Sequence, residues 1–199
     1  MLKKGRERNP LGRVIKFVTS NEHKFKEVSS IMKEVGIEVE WVKMEYLEPQ
    51  SSDIEEISRF SASYIRDKYP LRNFFIEDTG LFIEGLRGFP GPYSSYVFKT
   101  VGNEGILKLM EGVRDRRAYF KTALSYVDDF GKVWTFVSEV RGFISEESRG
   151  SGWGYDPIFI PEGYDRTYAE MGMEKNKVSH RRFVVLSFLD WLMKKEVNE

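Results

Sequence analysis

The stretch Ser151-Gly152-Trp153-Gly154-Tyr155-Asp156-Pro157 gathers glycines, two flat aromatic faces and a carboxylate into seven residues. Glycine tolerates positive φ and lets a ligand approach the backbone. Trp153 and Tyr155 offer stacking faces, and Pro157 fixes the exit into the apolar run Ile158-Phe159-Ile160. Such a loop suits a planar ligand, although a structural turn between two strands uses similar residues. Thr19-Ser20-Asn21-Glu22-His23-Lys24 lies where a β-rich run gives way to a helical pattern. Main-chain N–H groups and the helix dipole attract phosphate at such a junction, and Lys24 adds a full charge. The glycines of a Walker loop are missing, and an ordinary helix cap with a solvated lysine reads the same way.

Glu77-Asp78-Thr79-Gly80 sets two adjacent carboxylates where the buried run Phe74-Phe75-Ile76 is expected to meet a glycine turn. In open α/β sheets ligands bind beyond the strand ends. A carboxylate there can ligate Mg²⁺ or take a proton from attacking water, and the Thr79 hydroxyl can bond a phosphate oxygen. The plain alternative is that Asp78 caps a turn. Glu48, in the polar loop Glu48-Pro49-Gln50-Ser51-Ser52, offers a second carboxylate for the same cation, though most loop glutamates are simply solvated. Lys175-Asn176-Lys177-Val178-Ser179-His180-Arg181 brings cations and an imidazole together ahead of the last helix. It suits a triphosphate clamp or a reader of a base edge, and equally a helix-entry loop facing solvent. Gly88-Phe89-Pro90-Gly91-Pro92-Tyr93-Ser94 is a rigid turn that shapes a wall rather than doing chemistry.

The elements that must hold these residues alternate. A strand at residues 14–18 leads into a helix whose Phe25, Val28, Ile31, Met32 and Val35 recur at helical spacing up to Gly36. A strand over residues 37–44 follows, then an amphipathic helix over residues 53–69 ended by Pro70. Residues 74–76 and 81–83 read as two short strands around the glycine turn. Residues 118–128 and 132–144 read as long antiparallel strands joined at Asp128-Asp129-Phe130-Gly131. A last helix over residues 181–195 packs back on the first half. No linker or repeat divides the chain, so the expectation is α/β, one domain over residues 14–199 with two lobes and a cleft between them. Residues 1–13 form a basic N-terminal extension ahead of it.

With 199 residues, 41% hydrophobic and 15% aromatic, the chain can bury a large core. The absence of cysteine removes disulfides and thiol nucleophiles, and two histidines are too few for a His-rich metal site. Any metal must then sit on carboxylates, which favour hard cations such as Mg²⁺. Thirty-one basic residues balance 31 acidic ones, which argues against a general nucleic-acid binder. No apolar run is long enough to span a bilayer and the start lacks a signal peptide, so no membrane partner and a cytoplasmic location are expected.

Five motifs, Thr19-Ser20-Asn21 with Lys24, Glu77 to Leu81, Gly88 to Ser94, Ser151 to Phe159 and Ser179-His180-Arg181, stand in one order. In that order the chain from Val14 onward resembles the inosine triphosphate pyrophosphatase family, also called Ham1-like, with Trp153 where Phe is commoner. The resemblance implies a long mixed sheet flanked by helices, usually in a homodimer. It also implies Mg²⁺-dependent hydrolysis of XTP, ITP and dITP to the monophosphate and pyrophosphate. Carried over by position, Thr19, Ser20, Asn21, Glu22, His23 and Lys24 with Lys175 hold phosphates, and Thr79 joins the substrate contacts. Glu48 and Asp78 bind Mg²⁺, and Asp78 serves as general base with Lys24 beside it. Trp153, Gly154, Tyr155 and Asp156, with His180 and Arg181, hold the purine of a small-molecule nucleoside triphosphate. A nucleotide-binding module without catalysis, or a single-strand RNA binder stacking on Trp153 and Tyr155, would use some of the same residues. Neutral net charge and the paired carboxylates speak against RNA.

Overall fold

The structure, a computed structural model, describes residues 14–198, so the basic extension expected over residues 1–13 lies outside the described residues. In chain order these residues form β1 (Ile15–Val18), α1 (Glu22–Glu34), β2 (Val39–Val42), α2 (Ile54–Lys68), β3 (Phe74–Ile83), β4 (Pro90–Gly91), α3 (Ser94–Thr100) and α4 (Gly102–Leu109). There follow β5 (Arg117–Val127), β6 (Val133–Ile144), β7 (Phe159–Pro161), α5 (Tyr168–Met171), α6 (Lys175–Val178) and α7 (His180–Asn198). The strands make one seven-stranded mixed sheet in the order β2-β1-β3-β5-β6-β7, with β4 added to β3. β1 pairs in parallel with β2 and β3, and the remaining pairings are antiparallel. This is the mixed α/β sheet flanked by helices that the sequence implies.

The order of the first three strands decides where the helices go. From β1 the chain crosses through α1 to one side of β1 and returns through α2 to the other side, so right-handed crossovers set the two helices on opposite faces. The packing agrees. Val28, Ile31 and Met32 of α1 join Val184, Phe188 and Leu192 of α7 over Phe17, Phe75 and Leu124. On the other face Ala62 and Ile65 of α2 cover Val18, Phe74, Ile76 and Val127. Phe17 and Phe75 stack at 4.6 Å between ring centroids, and each such ring contributes roughly 2–3 kcal/mol by leaving water. A separate core holds Leu81, Ile83, Val97, Ile106, Phe120 and Tyr168 around the far half of β3 and β5. The two long strands therefore thread two cores.

Local signals place most boundaries. Asn21 caps α1 and Asp53 caps α2, whose last turn ends before Pro70. β2 is shorter than the expected strand over residues 37–44, and the one-turn helices α5 and α6 lie in a stretch without a helical pattern. The main departure is β3. It runs unbroken from Phe74, opposite Val127, to Ile83, opposite Ala118, with no turn at Gly80. A Cβ on Gly80 would stand 2.5 Å from the Gly91 carbonyl oxygen and 2.6 Å from Ile54 Cδ1. Glycine here lets β4 and α2 close on the strand; it does not bend the chain.

Because β3 is extended through this region, consecutive side chains leave on opposite faces. Glu77 shares the α1 and α7 face with Phe75, whereas Asp78 shares the α2 face with Ile76.

Candidate functional site

The loop after β1 lies at the carboxyl end of the strand where the sheet order reverses, which is where open α/β sheets bind ligands. Thr19 is buried, and its hydroxyl accepts from the Asn21 amide at 3.1 Å. The Trp41 indole N–H donates to the Thr19 carbonyl at 2.8 Å. Asn21 Oδ1 accepts from the amides of His23 at 2.9 Å and Lys24 at 3.2 Å. Three amides expected to be open to phosphate are therefore already bonded by side chains within the loop, and an anion must displace a cap to reach them. Ser20 and Glu22 are exposed, and Glu22 pairs with Lys26 at 2.6 Å. His23 lies flat against Trp153, with ring centroids 5.3 Å apart.

Lys24 points inward. Its ammonium donates to the Glu77 carbonyl at 3.0 Å and stands 3.1 Å from Glu77 Oε2. Glu77, only 2% exposed, also receives Arg181 Nη2 at 3.2 Å and the Thr79 hydroxyl. Thr79 in turn shares a 2.9 Å hydrogen bond with Thr122. Burial alone would raise the Glu77 pKa, but Arg181 and Lys24 outweigh it and hold the carboxyl at about 2. Arg181 is 1% exposed, and its other terminal nitrogen donates to Glu27. Glu27 accepts as well from Lys175 Nζ at 2.7 Å and from Trp153 Nε1 at 3.0 Å. Lys175 closes the cluster on Asp156 at 2.7 Å.

Lys24, Lys175 and Arg181 are thus matched against Glu27, Glu77 and Asp156, and the buried charges balance. Such a cage is costly to desolvate and depends on every partner being present. Both Lys175 Nζ, at 5.6 Å, and the Arg181 guanidinium, at 5.5 Å, sit near the centre of the Trp153 ring. His180 is buried against Phe120 with centroids 4.4 Å apart. Burial, helped by Arg181 and Lys175, drives its pKa well below the ordinary value, so the ring is neutral. Among the described residues, four buried side-chain atoms have no hydrogen-bond partner: Glu77 Oε2, Asn103 Oδ1, His180 Nδ1 and Arg181 Nε. Three belong to this cage, and Asn103 bonds the Gly154 carbonyl in the neighbouring loop at 3.0 Å. Of the three, Glu77 Oε2 is ion-paired with Lys24 Nζ at 3.1 Å, and His180 Nδ1 and Arg181 Nε are polar atoms that a water or a polar ligand can satisfy.

On the other face of β3, Asp78 is half-buried and its carboxylate accepts from the Thr79 amide at 2.9 Å. Burial raises its pKa, Glu48 and Glu77 raise it further, and Lys24 offsets part of the effect, leaving it at about 7. Glu48 is exposed on the loop after β2. The Tyr46 phenol is pushed up by burial and by Glu48, Asp78 and Glu77, so it remains a donor beside them. No group of three or more acidic or histidine side chains is arranged to hold a metal among the described residues. The donor set nonetheless fits a hard divalent cation that keeps waters and shares ligands with a phosphate. Crowded carboxylates that hold one of their number protonated are relieved by positive charge.

The structure brings Lys24, Thr79, Trp153, Asp156, Lys175, His180 and Arg181 into one cluster, with Asp78 and Glu48 adjoining across the strand. Gly154, at φ +62, belongs to the loop that Asn103 holds. Tyr155 lies elsewhere: it is 5% exposed, its hydroxyl donates to the Ser94 carbonyl at 2.9 Å, and its ring meets Phe98 edge-on. It anchors the loop from the second core and offers no open stacking face. Glu27 was not expected. Its position three residues after Lys24, on the same helix face, is the signal that could have found it. A depression of about 300 Å³ lined by Glu84, Arg117, Tyr119, Glu139, Arg141 and Phe143 shares no residue with the cluster.

The profile of the Ham1 family matches residues 15–191. A protein of Pyrococcus horikoshii named dITP/XTP pyrophosphatase is 51% identical over 178 residues, covering 88% of this chain and 95% of its own. One of the same name from Methanopyrus kandleri is 50% identical, covering 88% and 94%. The solved structure of a Staphylococcus aureus Ham1 protein is 26% identical and superposes with a TM-score of 0.75, covering 91% of this chain and 99% of its own. The fold, the match over residues 15–191 and the similarity over 88% of the chain agree, and the chain belongs to the Ham1 family.

Proposed function

We propose that the protein hydrolyses deaminated purine nucleoside triphosphates, XTP, ITP and dITP, to the monophosphate and pyrophosphate with Mg²⁺. The observation that carries this reading is the adjacency of a cluster of paired cations beside the Trp153 ring to a carboxylate that burial and its acidic neighbours raise to about 7. The name of the relatives at about half identity, dITP/XTP pyrophosphatase, supports two of these substrates. Glu48 and Asp78 are the residues that would hold the cation. It supplies charge neutralisation for the triphosphate and a more acidic water.

The remaining work falls to the chain. Lys24, with Lys175 nearby, faces the charge that builds on the departing oxygens. Asp78, ionised once positive charge is beside it, takes the proton from water as the new P–O bond forms at the α-phosphorus and the bond to the β-phosphate breaks. The purine would be held beside Trp153, whose ring stacks on His23 and lies against Lys175 and Arg181. Arg181 Nε–H, buried and without a partner, donates to a 6-keto oxygen, whereas the 6-amino group of adenine would leave it unpaired. Under this reading the chain from residue 14 onward is one two-lobed domain, working as a cytoplasmic homodimer with no nucleic-acid or membrane partner.

The test is pyrophosphate release from XTP, ITP, dITP, GTP and ATP, with Mg²⁺ or EDTA. EDTA-sensitive turnover of the deaminated purines is expected, with Asp78→Asn reducing it by about 10³-fold or more. Tight binding of ITP without turnover would leave a binding module in place of an enzyme.

A further inference from the structure

Glu77 stands between Lys24 and Arg181 and contacts both. Its carboxylate is 3.1 Å from Lys24 Nζ through Oε2, and it accepts from Arg181 Nη2 at 3.2 Å through Oε1. Lys24 comes from the first helix and the phosphate-facing loop; Arg181 comes from the last helix and sits 5.5 Å from the Trp153 ring centre. Glu77 itself is fixed by the unbroken pairing of β3 with β5, opposite Leu124, and by the Thr79 hydroxyl.

A guanidinium held at both terminal nitrogens is held as a plane. Arg181 is held in this way, by Glu27 at Nη1 and by Glu77 at Nη2, and this leaves Nε–H as the group without a partner. A carboxylate on a paired strand, bonded to both cations, cannot follow one without shifting against the other. Displacing Arg181 therefore changes the seat of Lys24, and the reverse.

We propose that Glu77 is a positioning residue that ties Lys24 to Arg181, so that recognition of the purine ring at one end sets the placement of the phosphate-side cation at the other. The proposal rests on the nucleotide pyrophosphatase reading above. It makes base selectivity appear in kcat as well as KM, because the correct ring seats the cation that the phosphate chemistry uses.

The experiment compares ITP with ATP on wild type, Glu77→Gln and Glu77→Asp, measuring kcat, KM and equilibrium binding constants, with melting temperatures recorded for each protein. Glu77→Gln is expected to lower kcat for ITP about 10- to 100-fold, the range that misplacement of reacting groups costs. It should also narrow the ITP-to-ATP preference in both binding and turnover. Glu77→Asp keeps the charge but is too short to reach both cations, and it should restore neither. Equal losses on ITP and ATP, with the preference intact, would overturn the link and confine Glu77 to the phosphate end. So would full rescue by Glu77→Asp.

If Glu77→Gln does not fold, the cycle of Lys24→Met, Arg181→Met and the double variant asks the same question in the native carboxylate background. The losses in ITP affinity should fall short of additive by about tenfold, and strict additivity would reject the proposal. Failure of the activity reading is separable: wild type would then release no pyrophosphate, while the binding constants would still decide the role of Glu77.

Discussion

Glu77 and Asp78 are consecutive residues of one strand, one buried and one half-buried, yet their surroundings shift the two carboxyls in opposite directions. Glu77 is held at about 2 and Asp78 is raised to about 7. Burial pushes both upward, so burial is not what separates them. On the face of α1 and α7, Glu77 meets a lysine and an arginine; on the face of α2, Asp78 meets Glu48 and the fringe of the Glu77 charge, with Lys24 as a partial offset. The pleat of β3 assigns one carboxylate to a permanent structural charge and leaves the other free to change its proton.

The contrast can be broken most strongly on the Glu77 face. Arg181→Met should destabilise the protein by about 3 kcal/mol in urea unfolding at pH 7, because Glu77 and Glu27 would keep their charges with fewer partners. An unchanged midpoint would mean that the cage does not stabilise the fold. On the Asp78 face the sign reverses. The folded value of Asp78 lies above its ordinary 3.8, so its ionisation costs the fold nothing below about pH 4, increasingly more through pH 7, and the full amount above that. In metal-free buffer Asp78→Asn should therefore stabilise the protein by about 2 kcal/mol at pH 8 and leave it unchanged near pH 4. Equal shifts at both pH values would refute the assignment. Glu77 behaves oppositely: its contribution is present above pH 4.5 and fades as pH falls towards 2. The smallest effect sharpens the comparison. Mg²⁺ at ten times its Kd should raise wild-type stability by about 1.4 kcal/mol, seen as a thermal shift at pH 8, and Asp78→Asn should abolish it. A shift of the same size in both proteins would place the cation elsewhere.

The sequence made much of this legible. Asn21 and Asp53 announce their helices by side-chain chemistry, and the hairpin over residues 128–131 follows from its glycine, found at φ +79. Gly80 misled because a glycine between two apolar runs looks the same whether it turns the chain or admits a neighbour. The neighbour, Gly91, is local in sequence, but its approach depends on the sheet. Tyr155 misled for a related reason. An aromatic ring in a glycine-rich loop can face a ligand or the core, and the Ser94 carbonyl decides for the core. Glu27 escaped notice because a glutamate on an amphipathic helix is ordinarily solvated, and its partners Trp153, Lys175 and Arg181 lie more than a hundred residues away, at separations of 126, 148 and 154.

By itself the sequence determined the long helices, most of the strands, the motifs and the family, because capping, periodicity and residue type act over a few neighbouring residues. Only the tertiary structure decided which carboxylate is tied down and which is free. That outcome depends on the face of the strand from which each leaves and on which distant cations wait there, and electrostatic energies at 3 Å are fixed by position in space and not by position in the chain.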